Sequence, residues 1–232
     1  MKRASKLLII SPHPDDETLG AGGTLAQFAG RGGEITVLTI AAHMPPLYPK
    51  HVHQTALADA QKAHAAMGAK ESIFLNHPAV LLGELPVHEF NNSIYEVVTK
   101  VAPDIVMIPY FDRHIDHRMI FEAAMVVTRP VGVGKQIKLV AAYETVSETH
   151  WNAPHIEPNF TPNWFVDISD YIDKKLEIMQ CYPSQIHPFP EPRSLEALRA
   201  LALFRGSQAG MGYAEGFHLI RMTMPPEEFL LA

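Results

Sequence analysis

The sequence has few of the features that mark secreted, membrane-bound or nucleic-acid-binding proteins. Cys181 is its single cysteine, which excludes a disulfide within the chain. No apolar run approaches the roughly 18 residues of a membrane span, and the apolar run at 7–10 is too short for a secretory signal. The formal net charge is -6, without any cluster of lysine and arginine, which argues against nucleic acid as a partner. We therefore expect a cytoplasmic protein without membrane insertion.

The composition is that of a folded protein. Hydrophobic residues make up 47% of the chain and charged residues 19%, which is typical of globular proteins and not of disordered ones. A chain of 232 residues is long enough to bury a full α/β core. Because no repeat, low-complexity tract or domain boundary is visible, we predict a single domain spanning residues 1–232.

Strand-like and helix-like segments alternate through the first two thirds of the chain. Apolar runs at 6–10 and 104–108 predict buried strands, and a helix pattern follows each of them. Strands separated by helices of this length predict right-handed crossovers and a mostly parallel, twisted sheet flanked by helices. The predicted helices, the first of them with Thr18 as its N-cap, are 18–30, 53–67, 87–101, 115–128, 169–182 and 194–204.

Two polar motifs follow two of the predicted strands. PHPDDE occupies positions 12–17, and DRHIDH occupies positions 112–117. In open α/β sheets, ligands bind where parallel strands end. If the two strands are neighbours, the motifs meet at one sheet edge. Acidic groups packed this closely repel one another unless a positive charge lies among them, and a divalent metal supplies that charge.

The residue types in these motifs suit a catalytic metal site. His13, Asp16 and His117 offer two imidazole nitrogens and one carboxylate, a ligand set typical of catalytic zinc with an open position for water. We expect one Zn²⁺ per chain, although ligand type alone leaves other divalent metals open. Asp15 is the candidate general base.

A second pair of side chains has a candidate supporting role. Asp116 beside His114 is typical of a carboxylate that orients an imidazole and raises its pKa, so that His114 stabilises an oxyanion or donates a proton. The structural alternative is that each motif only caps the helix that follows it. The occurrence of both motifs after predicted strands favours the metal site.

The chain resembles the zinc-dependent PIG-L/LmbE-like de-N-acetylase family. PHPDDE near the N-terminus and HIDH at 114–117 are the motifs that carry the resemblance, which extends over nearly the whole chain. Further matching segments are Gly-Gly-Thr at 22–24, FVDIS at 165–169, Tyr182 with Ser-Gln at 184–185, and YAEGF at 213–217.

The resemblance implies a Rossmann-like fold and hydrolysis of an acetamide, usually on a glucosamine unit. The substrate would then be a small N-acetylated amino sugar, such as an N-acetylglucosamine conjugate or sugar nucleotide. By position, the resemblance also implies that His13, Asp16 and His117 bind zinc and that Asp15 is the general base. It implies that His114 and Asp116 assist at the tetrahedral intermediate.

Two positions depart from the family pattern. Ala56 lies where relatives carry a sugar-binding arginine, and Ala79 lies near the place of a sugar-contacting aspartate. His53, Gln54 and His77 are candidate substitutes. Tyr143 and Trp151 are candidate pocket residues. Arg193 and Arg205 are interpreted as surface or salt-bridged residues, with a phosphate-holding role as the alternative.

Several alternatives stay open at this point. A zinc amidase would cleave a larger amide and release a longer acid, whereas a binding domain would hold metal or carbohydrate without catalysis. The candidate base Asp15 argues against the binding domain. A dinucleotide-dependent oxidoreductase is disfavoured because the glycines at 20–23 do not match GxGxxG. The substrate and homo-oligomer formation are not determined by the sequence.

Overall fold

The computed structural model describes residues 4–224, which build a seven-stranded sheet with helices on both faces. The strands are β1 (Lys6–Ser11), β2 (Glu34–Ala42), β3 (Glu71–Pro78), β4 (Ile105–Pro109), β5 (Leu139–Tyr143), β6 (Trp164–Asp167) and β7 (Ala214–Met222). The helices are α1 (Asp16–Gly30), α2 (Lys50–Ala66), α3 (Val87–Val101), α4 (Ile115–Val127), α5 (Ile172–Met179) and α6 (Leu195–Ala209).

The order of the strands brings the two motifs together. The order is β3-β2-β1-β4-β5-β7-β6; β1 to β5 are parallel, and β7 is antiparallel to its two neighbours. The chain builds one side of the sheet through β2 and β3 and then crosses to the other side at β4. Leu7 of β1 is in register with Ile105 of β4. The loops after β1 and β4 therefore lie at the switch point, where α/β sheets bind ligands.

The sheet is buried on both faces because successive side chains of a strand point in opposite directions. Leu8 and Ile10 of β1 belong to an apolar cluster with buried residues of α3 and α4. Leu7 and Ile9 belong to a second cluster with residues of α1, α2, α5 and α6. This two-sided burial explains why the strands have near-continuous apolar sequences, and it holds the polar loop after β1 against a rigid core.

Most predicted elements are confirmed to within a few residues, and three differ. Thr18 is not an N-cap, because α1 begins at Asp16 and Asp15 precedes it. The helix predicted at 169–182 is a 3₁₀ turn, Ser169–Tyr171, followed by the shorter α5. β7 has no counterpart among the predicted elements, because a buried charged residue, Glu215, and Gly216 interrupt its apolar alternation.

The predicted fold class, an α/β domain with a mostly parallel sheet, is confirmed. A single domain over all residues 1–232 stays a prediction. Across residues 4–224, each helix is too short or too polar to span a bilayer.

Candidate metal centre and active site

The loop after β1 is held in an uncommon backbone conformation. Asp15 has φ 112°, a region that L-residues rarely adopt, although aspartate tolerates positive φ better than most. Strain of this kind is found where a fold fixes a functional side chain. The Asp15 carbonyl accepts the N–H groups of Thr18 and Leu19, so the strained residue also starts α1.

A buried carboxylate, that of Glu17, stabilises this loop through hydrogen bonds. Glu17 is fully buried; its Oε1 accepts hydrogen bonds from Thr18 Oγ1 at 2.8 Å and from the Tyr182 hydroxyl at 2.7 Å. Its Oε2 lies 2.9 Å from Ser11 Oγ and accepts from the Asp15 N–H at 3.3 Å. The sequence analysis assigns no role to Glu17, which serves here as the anchor of the loop.

The loop after β4 is organised by Asp112. Asp112 Oδ1 accepts the His114 N–H at 3.0 Å, and its Oδ2 lies 3.0 Å from His117 Nδ1. The Thr149 hydroxyl donates to the same Oδ2 at 2.9 Å. A carboxylate on Nδ1 fixes the orientation of an imidazole and leaves Nε2 for a metal. Asp112 is part of the predicted motif, but its function as the partner of His117 follows from the structure.

The two loops meet at Asp16. Asp16 Oδ2 lies 3.1 Å from His13 Nδ1 and 3.3 Å from His117 Nε2, and it also accepts the His13 N–H at 3.0 Å. The His114 ring is adjacent, with its centroid 4.7 Å from that of His13 and 5.0 Å from that of His117. The structure therefore brings together the residues predicted as ligands, and His114 with them.

This cluster fits a metal ion. One ring nitrogen from each of His13, His114 and His117 lies within 4.8 Å of the others. His117 Nε2 is buried, and its 3.3 Å approach to Asp16 Oδ2 lacks the geometry of a hydrogen bond, which is costly unless another group binds this nitrogen. Imidazole nitrogens and a carboxylate are the donors that zinc and related metals prefer. These residues form a candidate metal site, and the choice among the donors stays a prediction.

The electrostatics of the cluster also favour a cation. Burial opposes the charge on His13, but hydrogen bonds to Asp116 and Asp16 outweigh it and raise the His13 pKa to about 9. Burial likewise opposes the charge on His117, whereas Asp16 and Asp112 raise its pKa to about 10. Burial raises the Asp16 pKa, but the two histidines hold it well below its usual value. The carboxylates thus draw positive charge into a buried site.

Asp15 has a partner outside this cluster. Its carboxylate is buried, and Oδ2 lies 2.9 Å from Nη1 of Arg193, which precedes α6. Burial raises the pKa of Asp15 to about 8, although the arginine acts in the opposite direction. Arg193 is salt-bridged, as predicted, but at the candidate base and not at the surface.

The predicted pairing of Asp116 with His114 is wrong in its detail. Asp116 Oδ2 lies 2.9 Å from His13 Nε2 and accepts the Val80 N–H at 2.8 Å. His114 contacts the backbone of Asp116 instead, because its Nδ1 accepts that N–H at 3.2 Å. Burial and then the neighbouring charged histidines lower the pKa of His114, so the predicted rise does not occur. A neutral ring with this contact carries its proton on Nε2.

Aromatic side chains from the segment after β2 cover one side of the cluster. His43 stacks on His13 at a centroid distance of 5.4 Å, and Tyr48 packs edge-on against His43 at 4.6 Å. Burial lowers the His43 pKa to about 4, which favours an uncharged ring. Trp151, the second candidate pocket residue beside Tyr143, is 60% exposed.

The other residues singled out in the sequence have mainly structural contacts. Tyr143 is fully buried with its hydroxyl on the Ile10 carbonyl at 2.8 Å, so it is a core residue. Arg205 pairs with Glu144. His77 contacts Ser93 and Phe90 of α3. Within residues 4–224, no hydrogen bond or ring contact joins His53 or Gln54 to the cluster.

Comparison with known protein families shows to which family the chain belongs. The family model PIG-L, described as GlcNAc-PI de-N-acetylase, matches residues 8–128, just over half of the sequence. The chain belongs to the PIG-L family. Both motifs lie inside the matched segment, and the resemblance predicted from them is confirmed.

Individual relatives extend the match to almost the full length. Diacetylchitobiose deacetylase from Thermococcus kodakarensis is 29% identical over 230 residues, covering 93% of this chain and 83% of that protein. The structure of N,N′-diacetylchitobiose deacetylase from Pyrococcus horikoshii superposes with a TM-score of 0.73 at 24% identity, covering 98% of this PIG-L chain and 89% of that chain. This likeness confirms the fold.

The same fold also carries other chemistry. GalB, the 4-carboxy-2-hydroxymuconate hydratase from Pseudomonas putida KT2440, matches with a TM-score of 0.74 at 19% identity, covering 95% of this chain and 98% of that chain. Fold similarity alone therefore does not determine the reaction, which has to be argued from the site.

Proposed function

We propose that this PIG-L protein is a metal-dependent N-deacetylase that converts an N-acetylated amino sugar into acetate and a free amine. The observation that carries the proposal is the buried Asp15 carboxylate. It lies on the loop that also supplies His13 and Asp16 to the candidate metal site. The relatives named as diacetylchitobiose deacetylases support this reaction class.

The proposed cofactor is one Zn²⁺ held by His13, Asp16 and His117. The two imidazoles and one carboxylate match catalytic zinc sites with three protein ligands. A metal bound by these residues would supply Lewis-acid polarisation of the acyl group and of the attacking water. Asp112 would keep His117 in the orientation for ligation, since it is bonded to the opposite ring nitrogen.

The remaining residues have the roles that amide hydrolysis requires. Water adds to the acyl carbon while Asp15 accepts its proton. His114 donates an Nε2–H hydrogen bond to the developing oxyanion, which its neutral ring and its Nδ1 contact allow. The C–N bond then breaks, acetate leaves, and the proton on Asp15 passes to the departing nitrogen. Asp116 orients His13 through Nε2.

The test is acetate release from a panel of N-acetylglucosamine compounds: the free sugar, chito-oligomers, a nucleotide-linked sugar and small glycosides. Purified protein is assayed as isolated, after chelation and after zinc re-addition, with metal content measured in parallel. Asp15→Asn should lower the rate by about 10²–10⁴-fold, the usual contribution of a general base. Asp173→Asn is the matched control, because that carboxylate is 86% exposed on α5.

Each outcome of this test has a definite meaning. Chelator-sensitive acetate release that Asp15→Asn loses supports the proposal and ranks the substrates. Release of a longer acid from other amides points to an amidase. One bound metal without hydrolysis of any compound points to a binding domain and overturns the proposal.

A further inference from the structure

Arg193 reaches the candidate base from a remote part of the chain. It lies in the connection between α5 and α6, directly before Ser194, whose hydroxyl accepts the Ala197 N–H and caps α6. Its side chain is 19% exposed, and Nη1 donates to Asp15 Oδ2 at 2.9 Å. A helix N-cap therefore fixes the backbone beside this arginine, which favours one defined position for its guanidinium.

The guanidinium is held by two further side chains from two other segments. Nη1 also donates to Gln185 Oε1 at 2.7 Å, and Nε donates to Ser147 Oγ at 3.2 Å. Ser147 is buried and has φ 72°, so the turn after β5 is itself constrained. Because a guanidinium is planar and its donors are fixed relative to one another, these contacts determine its orientation.

The contact with Arg193 gives the two carboxylate oxygens of Asp15 different surroundings. Oδ2 is bound by Arg193, whereas no hydrogen bond within residues 4–224 involves Oδ1. A carboxylate that is free to rotate would exchange its oxygens and spend time in unproductive orientations. We propose that Arg193 is a positioning residue, which binds Oδ2 of Asp15 so that Oδ1 stays available for the proton of the attacking water. This inference rests on the proposed deacetylase function.

The kinetic test uses Arg193→Ala and Arg193→Lys on a substrate found in the panel. We expect Arg193→Ala to lower kcat by about 10²-fold, the effect of misplacing a reacting group by about 1 Å, with KM changed less than threefold. Guanidinium ion at concentrations below those that unfold the protein should restore at least a tenth of the activity. Arg193→Lys should retain part of the activity that Arg193→Ala loses, since a single ammonium reaches fewer partners than a guanidinium.

Two further variants separate positioning from general stability. Ser147→Gly keeps the positive φ but removes the hydroxyl, so it should lower kcat less than Arg193→Ala does. Arg199→Ala, at an exposed arginine of α6 that pairs with Asp173, should leave the activity unchanged. Unchanged or increased kcat in Arg193→Ala would overturn the inference, the latter because the arginine would then block the base. A loss that guanidinium does not restore would also overturn it.

A measurement independent of activity tests the contact itself. In urea unfolding of the purified protein, Arg193→Ala and Asp15→Asn should be strongly non-additive, because each removes the partner of the same buried pair. Additive shifts would overturn the inference even for an active enzyme. If no substrate is found but the two changes are coupled, the proposed function fails while the Arg193–Asp15 contact stands.

Discussion

The two loops that meet at the centre of the sheet hold their side chains by different means. In the loop after β4, Asp112 binds His114 and His117, two and five residues away, and one more distant residue, Thr149, 37 residues away. In the loop after β1, Glu17 binds Tyr182 and Asp15 binds Arg193, partners 165 and 178 residues away along the chain. The β4 loop is ordered mainly by the start of its own helix, whereas the β1 loop depends on the complete fold.

Because of this difference, we expect substitutions in the two loops to have different effects. Loss of a local contact in the β4 loop should alter the metal site and leave the rest of the fold in place. Loss of the buried partners of the β1 loop should lower the stability of the protein, because the remaining polar groups cannot reach water.

The largest effect is expected where the loops join. Asp16→Ala removes the carboxylate that lies between His13 and His117, which leaves the contact of His13 with Asp116 as the remaining side-chain link between the loops. We expect the purified variant to contain no stoichiometric metal and to release acetate only at background rate. Elemental analysis and the acetate assay measure this, with Asp173→Ala as the exposed control. A variant that still holds one metal per chain would show that Asp16 is not a ligand.

Glu17→Ala tests the dependence of the β1 loop on buried partners. The change leaves the hydroxyls of Thr18 and Tyr182 without their shared acceptor, whereas the Ser11 hydroxyl keeps the His13 carbonyl at 2.7 Å. Because an unsatisfied buried polar group costs about 1–3 kcal/mol, we expect the free energy of unfolding to fall by about 3 kcal/mol or more. Urea unfolding measures it beside Glu89→Ala on α3, where the side chain is 67% exposed. Equal losses in both variants would contradict a role for the buried network.

Asp112→Asn tests the local organisation of the β4 loop. The amide can no longer accept and orient His117 in the same way, since its nitrogen is a donor. Loss of such a partner typically weakens metal binding by about 10–100-fold. Competition with a chromogenic chelator measures the affinity, again beside Asp173→Asn. An affinity within twofold of that of the unaltered protein would mean that His117 is held by its helix alone.

The same contrast explains what the sequence could predict. In the motif at 112–117, the contacts of Asp112 with His114 and His117 lie inside one loop and one helix turn, so the spacing indicates that these side chains lie close together, although the partner of each follows from the structure. The apolar periodicity of α3 predicts its bounds because one face packs on the core. The meeting of the two motifs follows from the rule for parallel strands on the condition that the two strands are neighbours, and the pairing of β1 with β4 meets that condition.

Contacts between distant segments could not be predicted in this way. Nothing in the residues around Arg193 indicates Asp15 as its partner, because the contact exists only after α6 is capped and packed. The acceptor of the second His13 nitrogen, Asp116, is likewise decided by the approach of the two loops. The pattern of β7 is obscured because Glu215 is buried with Lys175 in an ion pair.

The smallest effects give the sharpest comparison between the loops. Tyr182→Phe removes one hydrogen bond to Glu17, and Thr149→Val removes one to Asp112 together with the acceptor of the Thr145 N–H. Each should lower the free energy of unfolding by about 1–2 kcal/mol. Metal affinity should fall several-fold only in Thr149→Val, because only that hydroxyl supports the carboxylate behind His117.

If the loops are independently ordered, the double variant should be additive within about 0.5 kcal/mol in urea unfolding. A larger interaction free energy between these two positions would mean that the loops order each other through Asp16. In that case the β4 loop is not a local structure, and its metal affinity should also respond to Tyr182→Phe.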